Sequence, residues 1–169
     1  VVYDGLALNG VSVRIDAPDA SGLGEIKLSS PTLLRCYRDG TEPFDAEGFL
    51  PTGDLGRRDR DTGRLSVTGR ADEVIITGGH KVWPAPVEDL LRTHPGVADA
   101  AVRGRPDPEW GQAVEALIVL SEGADPPALD ELRGLVKEHL PGYCAPRRLT
   151  PVASLPRSDL GKLRRSQLG

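Results

Sequence analysis

Gly69-Arg70-Ala71-Asp72-Glu73-Val74-Ile75-Ile76-Thr77-Gly78-Gly79 marks the point where the chain changes character. Upstream, apolar and polar residues alternate in short runs over residues 11–15, 25–29 and 64–68, as half-buried strands do. Residues 31–37 and 55–58 complete five expected strands, divided by clusters such as Asp61-Thr62-Gly63. No helical period occurs before residue 84, so this part reads as a compact β unit such as a small barrel. Downstream, Val74-Ile75-Ile76 and Val82-Trp83 flank Thr77-Gly78-Gly79-His80, a hairpin signal. Residues 84–94 then carry Val87, Leu90 and Leu91 on one helical face behind Pro84, which suits a first turn. Residues 97–103 and 113–120 read as strands, the second almost wholly apolar and so central. Residues 126–140 give the clearest helix, with Leu129, Leu132, Leu135 and Val136 at helical spacing, and residues 147–152 a last strand. The expected fold class is α+β: a β subdomain over residues 1–70, then a compact α+β domain over residues 71–169.

Composition narrows the function classes. The chain of 169 residues carries a net charge of −4, with its basic residues scattered among more numerous acids, which argues against a nucleic-acid partner. No apolar run approaches the length needed to span a bilayer, and no signal peptide is visible, so a cytoplasmic protein is expected. Cys36 and Cys144 are far apart, and His80, His94 and His139 share no ligand-like spacing, so no metal site is expected. The sequence has no methionine and begins Val1-Val2 within what reads as ordered structure, as a piece of something longer would.

Near the end stands Leu155-Pro156-Arg157-Ser158-Asp159-Leu160-Gly161-Lys162-Leu163-Arg164-Arg165. Lys162 is one of four lysines in a chain whose other basic residues are all arginine. A lysine is a compact, mobile point charge, suited to a phosphate or carboxylate oxygen on which charge is building. Gly161 allows backbone conformations closed to other residues. Taken alone, however, a Lys-Arg cluster is a solvated basic tail.

Four stretches read together lead further. Pro51-Thr52-Gly53-Asp54-Leu55-Gly56, the opening stretch continued to Pro84 and Glu88, Val97-Ala98-Asp99-Ala100-Ala101-Val102-Arg103-Gly104-Arg105-Pro106-Asp107, and the terminal segment follow one another in order. In motif and spacing, over nearly the whole chain, they resemble the adenylate-forming superfamily of acyl-CoA synthetases, luciferases and peptide-synthetase adenylation domains. Those enzymes are much longer, and nothing here matches their Ser/Thr/Gly-rich phosphate loop. The chain looks like the C-terminal part, comprising the closing β subdomain of the AMP-binding domain and the mobile C-terminal domain.

The resemblance implies ATP, Mg²⁺ (bound by the missing N-terminal domain) and coenzyme A as cofactors or co-substrates, with a small-molecule carboxylic acid as substrate. It implies that Lys162 is catalytic and contacts the carboxylate and the ATP phosphate, and that it is a site of regulatory acetylation. Asp54 would accept the ribose hydroxyls of ATP; otherwise it is a turn aspartate. Arg70 would bind the nucleotide, or else is a surface arginine. Asp72 would be the hinge, or a plain linker residue, and Gly78 and Gly79 would line the pantetheine passage of coenzyme A, or simply form a hairpin turn. Where the family often has Glu-Ile-Glu, this chain has Pro86-Val87-Glu88. Thr93-His94-Pro95-Gly96-Val97 and the compact ending Gly161-Lys162-Leu163-Arg164-Arg165 are most similar to o-succinylbenzoate–CoA ligases of menaquinone synthesis, with fatty acid–CoA ligases as the alternative. A second class of reading is a stand-alone docking fragment, and by itself the chain is expected to be inactive because the phosphate loop is absent.

Overall fold

The computed structural model describes residues 2–168 and divides into two compact units, Val1–Asp72 and Glu73–Gly169. The class is α+β, with antiparallel sheets predominating and two helices confined to the second unit.

In the first unit, β1 (Val2–Tyr3) and β2 (Leu6–Ala7) form a short hairpin. β3 (Ser12–Asp16), β4 (Gly24–Ser29), β5 (Leu50–Arg58) and β6 (Leu65–Arg70) form an antiparallel sheet in the order β3-β4-β5-β6. The sheet is an open meander, not the closed barrel that the turn spacing suggests. Residues 31–37 are also not a strand; they run as turns and irregular chain, with Ser30 Oγ accepting from the Thr32 N–H to start a turn. Pro31 opens that run and breaks the alternation, and Leu34 and Tyr37 stay exposed. Only Leu23 and Ile26 are fully buried apolar side chains among the described residues of this unit.

The second unit has the real core. β7 (Ile75–Thr77) and β8 (His80–Val82) pair across Gly78-Gly79, both at positive φ (+54° and +80°), as a two-residue hairpin turn requires. α1 (Pro84–Leu91) follows, with Pro84 in its first turn. β9 (Val97–Asp107) and β10 (Gly111–Leu120) form a long antiparallel pair, and α2 (Leu129–His139) leads to β11 (Arg148–Pro151), which joins β10 in parallel. β10 therefore has β9, β11 and β7 as neighbours, which is why residues 114–118 are all buried. α2 puts Asp130 and Glu131 in its first turn and Lys137 and His139 in its last, the signs its dipole favours. Val87 and Leu91 of α1 and Leu132 and Val136 of α2 pack with Val102, Val114 and Ile118 in one cluster. A second, smaller cluster joins Ala101 and Leu117 to Leu155 and Leu168 of the terminal segment.

Three substitutions test this packing. Trp83 and Trp110 both lie in the second unit, so tryptophan fluorescence during denaturant unfolding reports its stability. Leu91→Ala, at a fully buried site, should cost about 2–5 kcal/mol; a loss under about 1 kcal/mol would contradict the core as described. A Cβ at Gly78 would lie 2.7 Å from Cε3 of Trp110, whereas one at Gly79 would meet nothing within 4 Å. Both alanines suffer the left-handed penalty, about 1–2 kcal/mol, but Gly78→Ala adds an overpacking cost of roughly 1–3 kcal/mol. Equal effects of the two would show that Trp110 does not pack under this turn.

Candidate functional site

The candidate residues fall into two groups, each inside one unit. In the first unit, β5 and β6 place Asp54 directly opposite Arg70 in the antiparallel register. Asp54 lies within β5, not ahead of it, because the strand begins at Leu50 and passes through a bulge near Leu55. Gly53 (φ +72°) makes the room: a Cβ there would come within 2.9 Å of Nη2 of Arg70. Thr52 Oγ1 donates to the Ile26 carbonyl at 2.7 Å and accepts from the Asp54 N–H at 3.0 Å, so the aspartate's backbone is fixed. Arg70 then reaches in two directions, with Nη1 3.6 Å from Asp54 and Nε donating to Asp72 at 2.9 Å. The structure thus brings three of the sequence-derived candidates, Asp54, Arg70 and Asp72, into one partly exposed row. A carboxylate beside a guanidinium offers acceptors for a vicinal diol and donors for phosphate or ribose oxygens, and charge-assisted bonds of this kind are strong.

In the second unit, Lys162 leaves the shoulder of a tight hairpin. The Ser158 N–H donates to the Lys162 carbonyl at 2.8 Å, and the Gly161 N–H donates to the Ser158 carbonyl at 2.8 Å. Gly161 sits at φ +77°, the left-handed position a three-residue hairpin loop needs. Arg157 and Leu163 form an antiparallel bridge at the base, and Ser158 Oγ also accepts from the Lys162 N–H. Lys162 is exposed, and its Nζ makes no hydrogen bond or ion pair among the described residues.

What holds this hairpin was not visible in the sequence. Leu155 and Leu168, on either side of it, are buried against β9 and β10. Downstream, Arg165 lies between two carboxylates: Nη1 and Nη2 donate to Glu88 at 2.7 and 2.9 Å, and Nε is 2.9 Å from Glu73. Burial works against this guanidinium's charge, but the two carboxylates raise its pKa above the ordinary arginine value. Glu88 also accepts from the Val102 N–H at 2.7 Å, which makes it an anchor between α1, β9 and the tail. Pro86, at the place of the absent first glutamate, is solvent-exposed. Upstream, Arg157 bonds to Asp99 of β9. None of these pairs is local: Arg165 and Glu88 are 77 residues apart, and Arg157 and Asp99 are 58.

Gly78 and Gly79 lie at the β7–β8 turn, on the same unit as Lys162 but on a different segment. The Gly78 N–H donates to the Trp110 carbonyl at 2.9 Å, and Arg147 lies over that residue's indole with its guanidinium 3.9 Å from the ring centroid. His80, next in sequence, stacks flat on Tyr143 with ring centroids 4.2 Å apart. A cavity of about 540 Å³ in the first unit, lined by Ala20, Ser21, Arg57, Arg58, Asp59 and Arg60 among others, contains none of the candidate residues. Among the described residues no group of three or more His, Cys, Asp or Glu is placed to hold a metal ion. Among the described residues no helix is long and apolar enough to cross a membrane.

Comparison with known proteins places this arrangement. Residues 86–162 match the family model of the AMP-binding enzyme C-terminal domain. A probable 2-succinylbenzoate–CoA ligase of Mycobacterium tuberculosis is 45% identical over 170 residues, covering 99% of this chain and 43% of the relative. A medium/long-chain-fatty-acid–CoA ligase of the same organism is 41% identical over 149 residues, covering 83% of this chain and 26% of the relative. Among solved structures, the o-succinylbenzoate CoA synthetase of Bacillus subtilis, in complex with its acyl-adenylate intermediate, superposes with a TM-score of 0.85 at 35% identity, covering 97% of this chain and 34% of that one. The chain thus spans less than half the length of the relatives it matches. It belongs to the adenylate-forming acyl-CoA synthetase superfamily and corresponds to the C-terminal part of those enzymes.

Proposed function

We propose that the chain works as the C-terminal part of an ATP-dependent acid–CoA ligase whose substrate is 2-succinylbenzoate. In this reading the acid's carboxylate attacks the α-phosphorus of ATP, pyrophosphate leaves, and the thiol of coenzyme A then displaces AMP from the acyl-adenylate to give the thioester. The observation that carries it is the Lys162 hairpin, an exposed ammonium with no ion pair among the described residues, carried on a fixed base. An ammonium so placed can neutralise charge that grows on carboxylate and phosphate oxygens in the first half-reaction. The 45% identity to a 2-succinylbenzoate–CoA ligase supports the choice of acid.

The other candidates fit the same scheme. Asp54 would accept the ribose hydroxyls of ATP, and Arg70 beside it would donate to ribose or phosphate oxygens. Asp72 would be the hinge on which residues 73–169 swing between the half-reactions. What supports that role is position: Asp72, paired with Arg70, closes the first compact unit, and Glu73, paired with Arg165, opens the second. Gly78 and Gly79, bare of side chains at the turn, would line the pantetheine passage in the second half-reaction. Residues 1–70 would complete a larger AMP-binding domain, in keeping with a unit in which Leu23 and Ile26 are the only buried large apolar side chains among the described residues. Mg²⁺ would accompany ATP through groups outside this chain, and the enzyme would act in the cytoplasm. The fatty acid–CoA ligase at 41% identity keeps a longer acyl chain as the second reading of the substrate.

Half-reaction kinetics on the enzyme that contains this chain test the proposal. Lys162→Ala should lower ATP–pyrophosphate exchange by roughly 10²–10³-fold while thioester formation from preformed acyl-adenylate persists. Equal loss of both half-reactions would refute the role assigned to Lys162.

A further inference from the structure

Arg157 stands at the base of the Lys162 hairpin and reaches two partners at once. Its Nε and Nη2 donate to Oδ2 of Asp99 at 3.1 and 2.6 Å, and its Nη1 donates to the carbonyl of Gly161 at 2.7 Å. That carbonyl belongs to the planar peptide unit whose N–H is that of Lys162 itself. A bond to this oxygen therefore sets the orientation of the plane from which the lysine departs. The planar guanidinium suits this task, because its donors point in fixed directions.

Asp99 is in turn held from behind. Its Oδ1 accepts from the Ala100 N–H at 2.9 Å and lies 3.8 Å from Nη1 of Arg92. The residues that follow it on β9, Ala100, Ala101 and Val102, are fully buried. A continuous set of contacts thus runs from a buried strand to the peptide that bears Lys162. Nothing packed does the same work at the tip. A Cβ on Gly161 would meet no atom within 4 Å, and Leu160 is 95% exposed. The Ser158 bonds define the shape of the turn, but they lie inside the hairpin and cannot orient it against the sheet. We propose that Arg157 and Asp99 are a positioning pair for Lys162, fixing the peptide that carries it so that the ammonium starts from one place when adenylation begins. The inference rests on the adenylation role proposed above for Lys162. A side chain with a long flexible stem gains most from a fixed origin, since small misplacements of a charge-stabilising group are costly in rate.

The test compares half-reactions in the enzyme containing this chain. Arg157→Gln should lower kcat for adenylation roughly ten- to hundred-fold, with KM for ATP and for the acid changed less than about twofold. Thioester formation from preformed acyl-adenylate should stay at the wild-type rate. Asp99→Asn should shift adenylation in the same direction, and Arg157→Lys, able to serve one partner at a time, should fall between Gln and wild type. Wild-type adenylation in Arg157→Gln, equal loss of both half-reactions, or an unaffected Asp99→Asn beside an impaired Arg157→Gln would overturn the pair. Lys162→Ala run in parallel separates the two levels. Normal adenylation there removes the role of Lys162 and the inference with it, whereas a crippled Lys162→Ala beside a normal Arg157→Gln removes the inference alone. Thermal unfolding of each variant accompanies the kinetics, and if Arg157→Gln does not fold, Arg157→Lys carries the same comparison.

Discussion

The seating of Arg165 between Glu88 and Glu73 holds the terminal segment to its domain, and the presentation of Lys162 depends on it. Drawing two carboxylates and a guanidinium partly out of water costs several kcal/mol per ion unless the lone pairs and protons find partners. Here they do. Glu88 accepts both terminal nitrogens of Arg165 together with the Val102 N–H, and Glu73 takes Nε. The arrangement also has a directional effect that Leu155 and Leu168 cannot supply, since apolar burial is indifferent to orientation. This planar fork registers the downstream arm of the segment on α1, and with Arg157 of the upstream arm bonded to Asp99 of β9, the lysine at the hairpin's shoulder becomes a defined charge instead of a drifting one.

The first unit follows a different logic. Its sheet buries few side chains, and its charged residues are paired across the surface: Arg14 reaches Asp45 and Glu47 while lying 4.3 Å over the Phe49 ring, and Lys27 contacts Asp16 and Asp45. Against this framework the row Asp54–Arg70–Asp72 is an end feature, positioned by strand register and by the absence of a side chain at Gly53. Asp72 and Glu73 are adjacent in sequence, the first paired with Arg70 at the end of the first unit and the second paired with Arg165 at the start of the next.

Much of this was legible in the sequence, and the parts that were not have a common cause. α2, β10 and the Gly78-Gly79 hairpin could be read because each is announced by a local period or by residues that only a particular turn demands. The region around residues 31–37 misled because Leu33 and Leu34 suggest a strand while Pro31 and the side-chain turn at Ser30 decide otherwise. β5 came out longer than expected because pairing with both β4 and β6 outweighs the turn signal in Thr52-Gly53-Asp54. Motif resemblance pointed to Lys162, Asp54 and Arg70. It gave no hint of Asp99 with Arg157, or of Glu73 and Glu88 with Arg165, because those pairings join distant segments and exist only once the tail lies on the sheet.

The central claim is that Lys162 stands on a fixed hairpin and not on a solvated basic tail. The backbone ¹⁵N order parameter of Lys162, measured by NMR relaxation on this chain, tests it most directly. A value of roughly 0.8 or more, matching the amides of β10, is what the anchored hairpin requires; a value below about 0.6, typical of a flexible terminus, would contradict it.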